Sequence, residues 1–246
     1  MLDATTTYVL AVVFVATLIR STVGFGEALV AVPLLAFRIP IAVAAPLAML
    51  LSVLIAGVIV ARDWRHVEVR SAGGLIIASL FGIPLGLLLL TRVDDHAVRL
   101  ILGCTIAAFS LYSLTAKKRV HLEHDHPMWL LGAGFLSGIL GGAYGMNGPP
   151  LAIYGALRRW SPQQFRATLQ GYFFPASLAG LLGYAAAGLW VPSITRYFVL
   201  SLPGVLVAVV VGRALNHRLQ GDRFFRIVYA GLVVIGASLI GRGLMT

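Results

Sequence analysis

The side chains best placed for chemistry are two charges in an apolar setting. Arg20 and Glu27 are the only charged residues between Asp3 and Arg38, and they flank Gly24-Phe25-Gly26. On insertion scales an Arg or Asp at the centre of a membrane helix costs about 2.5–3.5 kcal/mol, so such residues usually serve a purpose. Three readings are open: the two pair across the glycine break, Arg20 faces an anionic substrate while Glu27 carries a coupling proton, or both snorkel to an interface. A second break, Gly141-Gly142-Ala143-Tyr144-Gly145, precedes Met146-Asn147-Gly148-Pro149-Pro150. A helix that starts after such a break offers free N–H groups and the positive end of its dipole, which suits an anion. The candidate substrate-binding residues are therefore Gly24, Phe25 and Gly26 at the first break, and Tyr144, Gly145, Asn147 and Gly148 at the second, where Pro149 is shaped for a first helical turn. The competing reading is that these glycines only let helices pack closely.

A third group follows Arg166. Gln170 and either Phe173 or Phe174 share its helical face at i+4 and i+7 or i+8. A guanidinium beside an amide suits an oxyanion, while the plainer reading is an arginine that sets topology. His121, Glu123, His124, Asp125 and His126 resemble a metal-binding tract, but nothing in the spacing fixes a geometry, and a solvated loop is expected, with no metal site and no cofactor. Cys104 reads as a small buried residue and permits no intrachain disulfide. No Ser-His-Asp order, Walker loop or His-Glu-x-x-His is present, so no enzyme is expected.

The elements that must hold these residues follow from composition. The 246 residues are 59% hydrophobic and only 11% charged, against roughly 45–50% and about 25% in soluble domains. Apolar runs long enough to cross about 30 Å of hydrocarbon recur throughout. The expected fold is an all-α polytopic membrane protein of eight to ten segments, near 5–22, 24–37, 41–61, 71–91, 97–116, 127–143, 147–157, 164–189, 193–212 and 224–243. The first run lacks a basic leader and a cleavage site and reads as a retained span. The net charge of +10 is scattered through short connections, which points to a lipid bilayer as partner and away from nucleic acid.

The chain divides into a first membrane repeat (1–116), a polar central loop (117–126) and a second membrane repeat (127–246). Ser79-Leu80-Phe81-Gly82 matches Ser201-Leu202-Pro203-Gly204, and Phe25-Gly26-Glu27-Ala28 lies opposite Tyr144-Gly145-Met146-Asn147. If the segments 24–37 and 147–157 each return the chain to the side it came from, Lys and Arg outside the membrane split 13 to 5 between the two sides, as the positive-inside rule predicts. Each half then holds about four full spans plus one short glycine-broken segment, the repeats are inverted, and both termini face away from the cytoplasm. Inverted repeats with a broken helix at matching positions mark a secondary-transporter site. The rival readings are a carrier of divalent metals or other cations using Glu27, Asn147 and backbone carbonyls, and a membrane assembly factor without transport.

Gly24-Phe25-Gly26-Glu27-Ala28-Leu29-Val30-Ala31-Val32-Pro33-Leu34-Leu35 resembles the first-repeat signature of the TauE/SafE sulfite exporter family. Gly134 to Gly142, followed by Tyr144-Gly145-Met146-Asn147-Gly148-Pro149-Pro150-Leu151, resembles the second, and Arg166-Ala167-Thr168 sits where that family often has Arg-Ala-Thr. Glu27 stands where many members have another glycine, and Ala208 replaces a late glycine of the second repeat. The resemblance implies a bacterial inner-membrane permease that exports sulfite or small organosulfur anions. Oligomeric state is left open, a homo-oligomer included.

Overall fold

The computed structural model describes residues 3–115, 122, 126–216 and 222–245. Among these residues are ten α-helices and no strand: α1 (Ala4–Val23), α2 (Glu27–Leu35), α3 (Ile41–Asp63), α4 (Val69–Arg92), α5 (Asp95–Thr115), α6 (Pro127–Tyr144), α7 (Gly148–Leu157), α8 (Pro162–Ala186), α9 (Pro192–Asn216) and α10 (Asp222–Met245). A short 3-10 turn, Trp64–His66, links α3 to α4. Local chemistry sets the ends. Left-handed Gly24 and Gly145 stop α1 and α6, and a Ser161/Gln164 capping box with Pro162 in the first turn starts α8. Among the described residues, five helices are long and apolar enough to cross a membrane. The chain is a polytopic helical membrane protein.

Helix pairing reveals how the halves relate. The broadest contacts join α4 with α6, α5 with α10, α1 with α9 and α3 with α8. Exchanging each helix for the one five places along maps α4/α6 onto α9/α1 and maps α3/α8 and α5/α10 onto themselves. The self-mapped pairs run antiparallel. Along α3, Met49, Ser52 and Gly57 meet Gly180, Ser177 and Phe174 of α8 in reverse order. Gly103 of α5 meets Gly236 and Ile240, while Ala107 meets Gly236. Corresponding helices that run antiparallel require halves of opposite sense, so the repeats are inverted.

The α4/α6 pair is parallel and very close. A Cβ on Gly138 would lie 2.3 Å from the Ser79 carbonyl, and one on Gly142 would lie 2.2 Å from that of Ile83. Close packing therefore does explain these two glycines. At the breaks backbone conformation adds a second demand, since Gly24, Gly26 and Gly145 all have positive φ, and at Gly26 it is the sole one.

The short helices return. α2 has 9 residues and α7 has 10, about 15 Å at 1.5 Å per residue, half of the hydrocarbon thickness. The Tyr8 hydroxyl near the start of α1 donates to the Leu34 carbonyl at the end of α2, at 2.8 Å. The Leu122 amide, ahead of α6, donates to the Leu157 carbonyl at the end of α7, at 3.0 Å. Each broken helix thus doubles back along its predecessor.

Two details differ from expectation. Cys104 is exposed, not buried. The packed face of α5 is Val98, Leu102, Gly103, Ile106 and Phe109, and Cys104 points away from it. The repeat register also shifts by two residues: the matching left-handed caps are Gly24 and Gly145, so Glu27 corresponds to Gly148. His121, Glu123, His124 and Asp125 lie outside the described residues.

Candidate functional site

At the first break, Gly24 (φ +96°) ends α1 and its amide donates to the Arg20 carbonyl at 2.6 Å. Gly26 (φ +97°) then turns the chain into α2. Nothing lies within 4 Å of where its Cβ would be, so backbone conformation alone demands glycine there. The first turn of α2, Glu27-Ala28-Leu29, lines a small cavity together with Arg20, Ser52 and Phe173. Arg20 and Glu27 are 3% and 2% exposed and form an ion pair, Arg20 Nη1 to Glu27 Oε2 at 2.7 Å. Arg20 Nη1 also donates to Ser52 Oγ at 3.1 Å, and Nη2 donates to Gln170 Oε1 at 2.7 Å. Its guanidinium stacks 5.3 Å over the Phe173 ring. Thr17 donates to the other Glu27 oxygen at 3.5 Å. Arg20 Nε is buried without a hydrogen-bond partner.

The second break closes the cavity from the opposite half, with Gly145, Met146, Asn147, Gly148 and Pro149 in its wall. Asn147 stands at the N-cap position of α7 with its side chain free of any capping bond to the helix, and Gly148 opens the helix. Pro149 and Pro150 carry no N–H, so this helix end offers fewer backbone donors than α2 does. The Asn147 side chain makes up part of that loss. It occupies space left by Gly141, whose Cβ would lie 2.0 Å from Asn147 Oδ1. Ser137 donates to the Asn147 carbonyl and holds the cap in place. Asn147 Nδ2 donates to Ser177 Oγ at 3.5 Å, and Ser177 donates to Ser52 at 3.1 Å. One polar chain, Glu27–Arg20–Ser52–Ser177–Asn147, therefore runs from break to break across the α3/α8 crossing, where Ser52 lies midway along its helix.

Irregular backbone is tolerated at membrane depth where it is buried in protein or lines a cavity, and both breaks satisfy that condition. The wall presents cationic and neutral donors around a single carboxylate. Such a lining suits an oxyanion once Glu27 is neutralised or displaced.

Of the residues singled out in the sequence, the cavity gathers Arg20, Gly26, Glu27, Gly145, Asn147 and Gly148. Gln170 stands behind Arg20 and also donates to the Gly24 carbonyl. Phe25 is buried against Phe165, edge to face at 5.9 Å. Tyr144 is turned elsewhere, its hydroxyl donating to the Val98 carbonyl at 3.0 Å. Arg166 does not reach the cavity: its stem covers Gly24, and Nη2 lies 3.9 Å from Asp63. Of the two phenylalanines on its face, Phe173 joins the site and Phe174 packs on Gly57.

Ser52 and Ser177 escaped sequence reading. Each is a lone small hydroxyl in an apolar run.

The chain matches the family described as sulfite exporter TauE/SafE over residues 9–239. It is 25% identical over 179 residues to a protein of Cupriavidus necator named probable sulfite/organosulfonate exporter TauE, covering 72% of this chain and 70% of that one. No solved structure matches. This multi-pass membrane chain belongs to the TauE/SafE sulfite exporter family.

Proposed function

We propose that the protein is a secondary transporter of sulfite or a small organosulfonate, working by alternating access between its inverted halves. One observation carries the reading: the first turns of α2 and α7, one from each half, open on the same cavity, and a buried arginine reaches it. A sulfonate or sulfite group bound there would accept from the N–H groups of α2 and from Gly148, Asn147 and Arg20. The printed name of the Cupriavidus necator relative supports the same substrate class.

Charge balance assigns Glu27 a role. The resting Arg20–Glu27 pair is neutral, so an anion arriving beside it leaves a net negative charge in a buried site. Protonation of Glu27 releases Arg20 to the anion and restores neutrality when the substrate is a singly charged sulfonate or hydrogen sulfite. Anion and proton then occupy the site together. Ser52 and Ser177 hold the two sides of the site in register while the halves rock about it. In the bacterial inner membrane, with both termini outside the cytoplasm, gradients set the direction, and export, which the relative's name carries, runs when the outward anion gradient exceeds the inward proton gradient.

The test is uptake of sulfite and of small sulfonates into proteoliposomes, with and without an imposed pH gradient. Flux of a sulfur oxyanion that follows the proton gradient in the parent, and persists without following it in Glu27→Gln, supports the reading. Substrate-independent flux, or flux of divalent cations alone, contradicts it.

A further inference from the structure

Arg166 lies outside the cavity, yet it is not simply a surface arginine. Its stem packs on the left-handed Gly24 turn, the nearest carbon 3.2 Å from where a glycine Cβ would be. Its guanidinium is divided: Nε is buried with no hydrogen-bond partner, while Nη2 reaches Asp63 at 3.9 Å. Side-chain exposure is 24% for Arg166 and 35% for Asp63, so the pair stands where solvent ends. At 3.9 Å the contact is too long for a hydrogen bond, and buried donors are normally satisfied. One turn deeper on the same face of α8, Gln170 bridges the Gly24 carbonyl and Arg20. Arg166, Gln170 and Arg20 thus form a polar ladder from the surface to the cavity, with Gln170 accepting from Arg20 and donating to the Gly24 carbonyl.

We propose that Arg166 is an outer anion station on the face where α3 ends and α8 begins, and that Asp63 is the ligand an arriving anion displaces. This rests on the transport reading above and adds an access route to it. An oxyanion approaching that face takes the place of the Asp63 carboxylate on Nη2, and a turn of the guanidinium brings the unpartnered Nε donor to it. It then passes the Gly24 turn to Arg20, handed on by Gln170. Arg65 lies on the adjoining turn, two residues past Asp63, with its guanidinium 5.6 Å over the Trp64 ring, and charge lining an access route raises association rates. The buried site does not contain Arg166, so the station governs arrival and not final affinity.

The experiment measures sulfite transport in oriented proteoliposomes, with substrate supplied to one face at a time, beside sulfite binding in detergent followed by thermal stability. Arg166→Ala is expected to raise KM about tenfold from the Arg166 face, leave KM from the other face within about twofold, and leave the stability shift intact. Arg166→Lys should recover part of the loss, and added salt should weaken the parent more than Arg166→Ala. Asp63→Asn, which keeps shape and removes the competing charge, should lower KM from the same face. Unchanged KM from that face in both Arg166→Ala and Asp63→Asn overturns the station, as does an equal loss from both faces. If Arg166→Ala does not fold, the direction of the Asp63→Asn effect decides alone. Failure of the parent to bind or move any sulfur oxyanion instead overturns the transport reading itself.

Discussion

The two glycine breaks occupy equivalent places and solve the same problem with different chemistry. In each, a left-handed glycine ends the long helix and donates to a carbonyl four residues back, Gly24 to Arg20 and Gly145 to Gly141. Arg20 and Gly141 are therefore counterparts. In the first half that position carries a guanidinium and the helix after the break starts with Glu27. In the second half the position is empty of side chain, Asn147 fills it, and the following helix starts with Gly148-Pro149-Pro150. One break is charged and the other neutral. Under the proposed anion–proton coupling one titratable partner suffices, and an exact duplicate would bury two ion pairs, each carrying a desolvation penalty.

Breaking the charged side should have the largest effect. Arg20→Ala leaves Glu27 buried without its cation, a change that costs about 3–5 kcal/mol in comparable pairs; Arg20→Ala/Glu27→Gln should recover much of that stability while still failing to bind sulfite. A double variant that both folds and binds would remove Arg20 from the site. Packing glycines should cost less. Gly142→Ala places a Cβ 2.2 Å from the Ile83 carbonyl and should destabilise by about 1–3 kcal/mol, with sulfite affinity of the folded fraction unchanged. On the neutral side, Asn147→Ala removes one donor and should weaken sulfite binding about tenfold, or about 1.4 kcal/mol; no change in the dissociation constant would contradict its place in the wall.

The proton linkage sharpens the same contrast. If Glu27 must hold a proton for the anion to bind, parent affinity falls as pH rises, and Glu27→Gln flattens that dependence while Asn147→Ala preserves it. A parent affinity that rises with pH would reverse the assignment. The smallest expected effect is Tyr144→Phe. It loses one hydroxyl bond to the Val98 carbonyl, roughly 1 kcal/mol of stability, and leaves transport intact, whereas a substrate-binding Tyr144 would lose it.

The sequence made the architecture legible because lipid imposes blunt rules: apolar runs and glycine and proline punctuation placed the ten helices found among the described residues. Gly24, Gly26 and Gly145 were readable because a break between apolar runs needs unusual backbone. Tyr144 was misleading. Its neighbours turn into the cavity, but the residue just before the break still belongs to α6 and points to α5. Arg166 shared a face with Gln170 as periodicity indicates, yet one turn of helix separates the surface from the cavity. Ser52 and Ser177 were hidden because a single hydroxyl in a helix carries no period, and only the pairing of halves brings them 3.1 Å apart.

The central claim is that both breaks bind one sulfur oxyanion through Arg20 and Asn147. Its most direct test is the thermal stability of the purified protein against sulfite, small sulfonates, size-matched carboxylates and divalent cations, in the parent and in Arg20→Ala/Glu27→Gln/Asn147→Ala. At 100 times its dissociation constant a ligand of the folded state adds about 2.7 kcal/mol. The account predicts that shift for a sulfur oxyanion in the parent, a much smaller one for carboxylates, and none for any anion in the triple variant. An undiminished sulfite shift in the folded triple variant, or a parent that responds only to divalent cations, would contradict it.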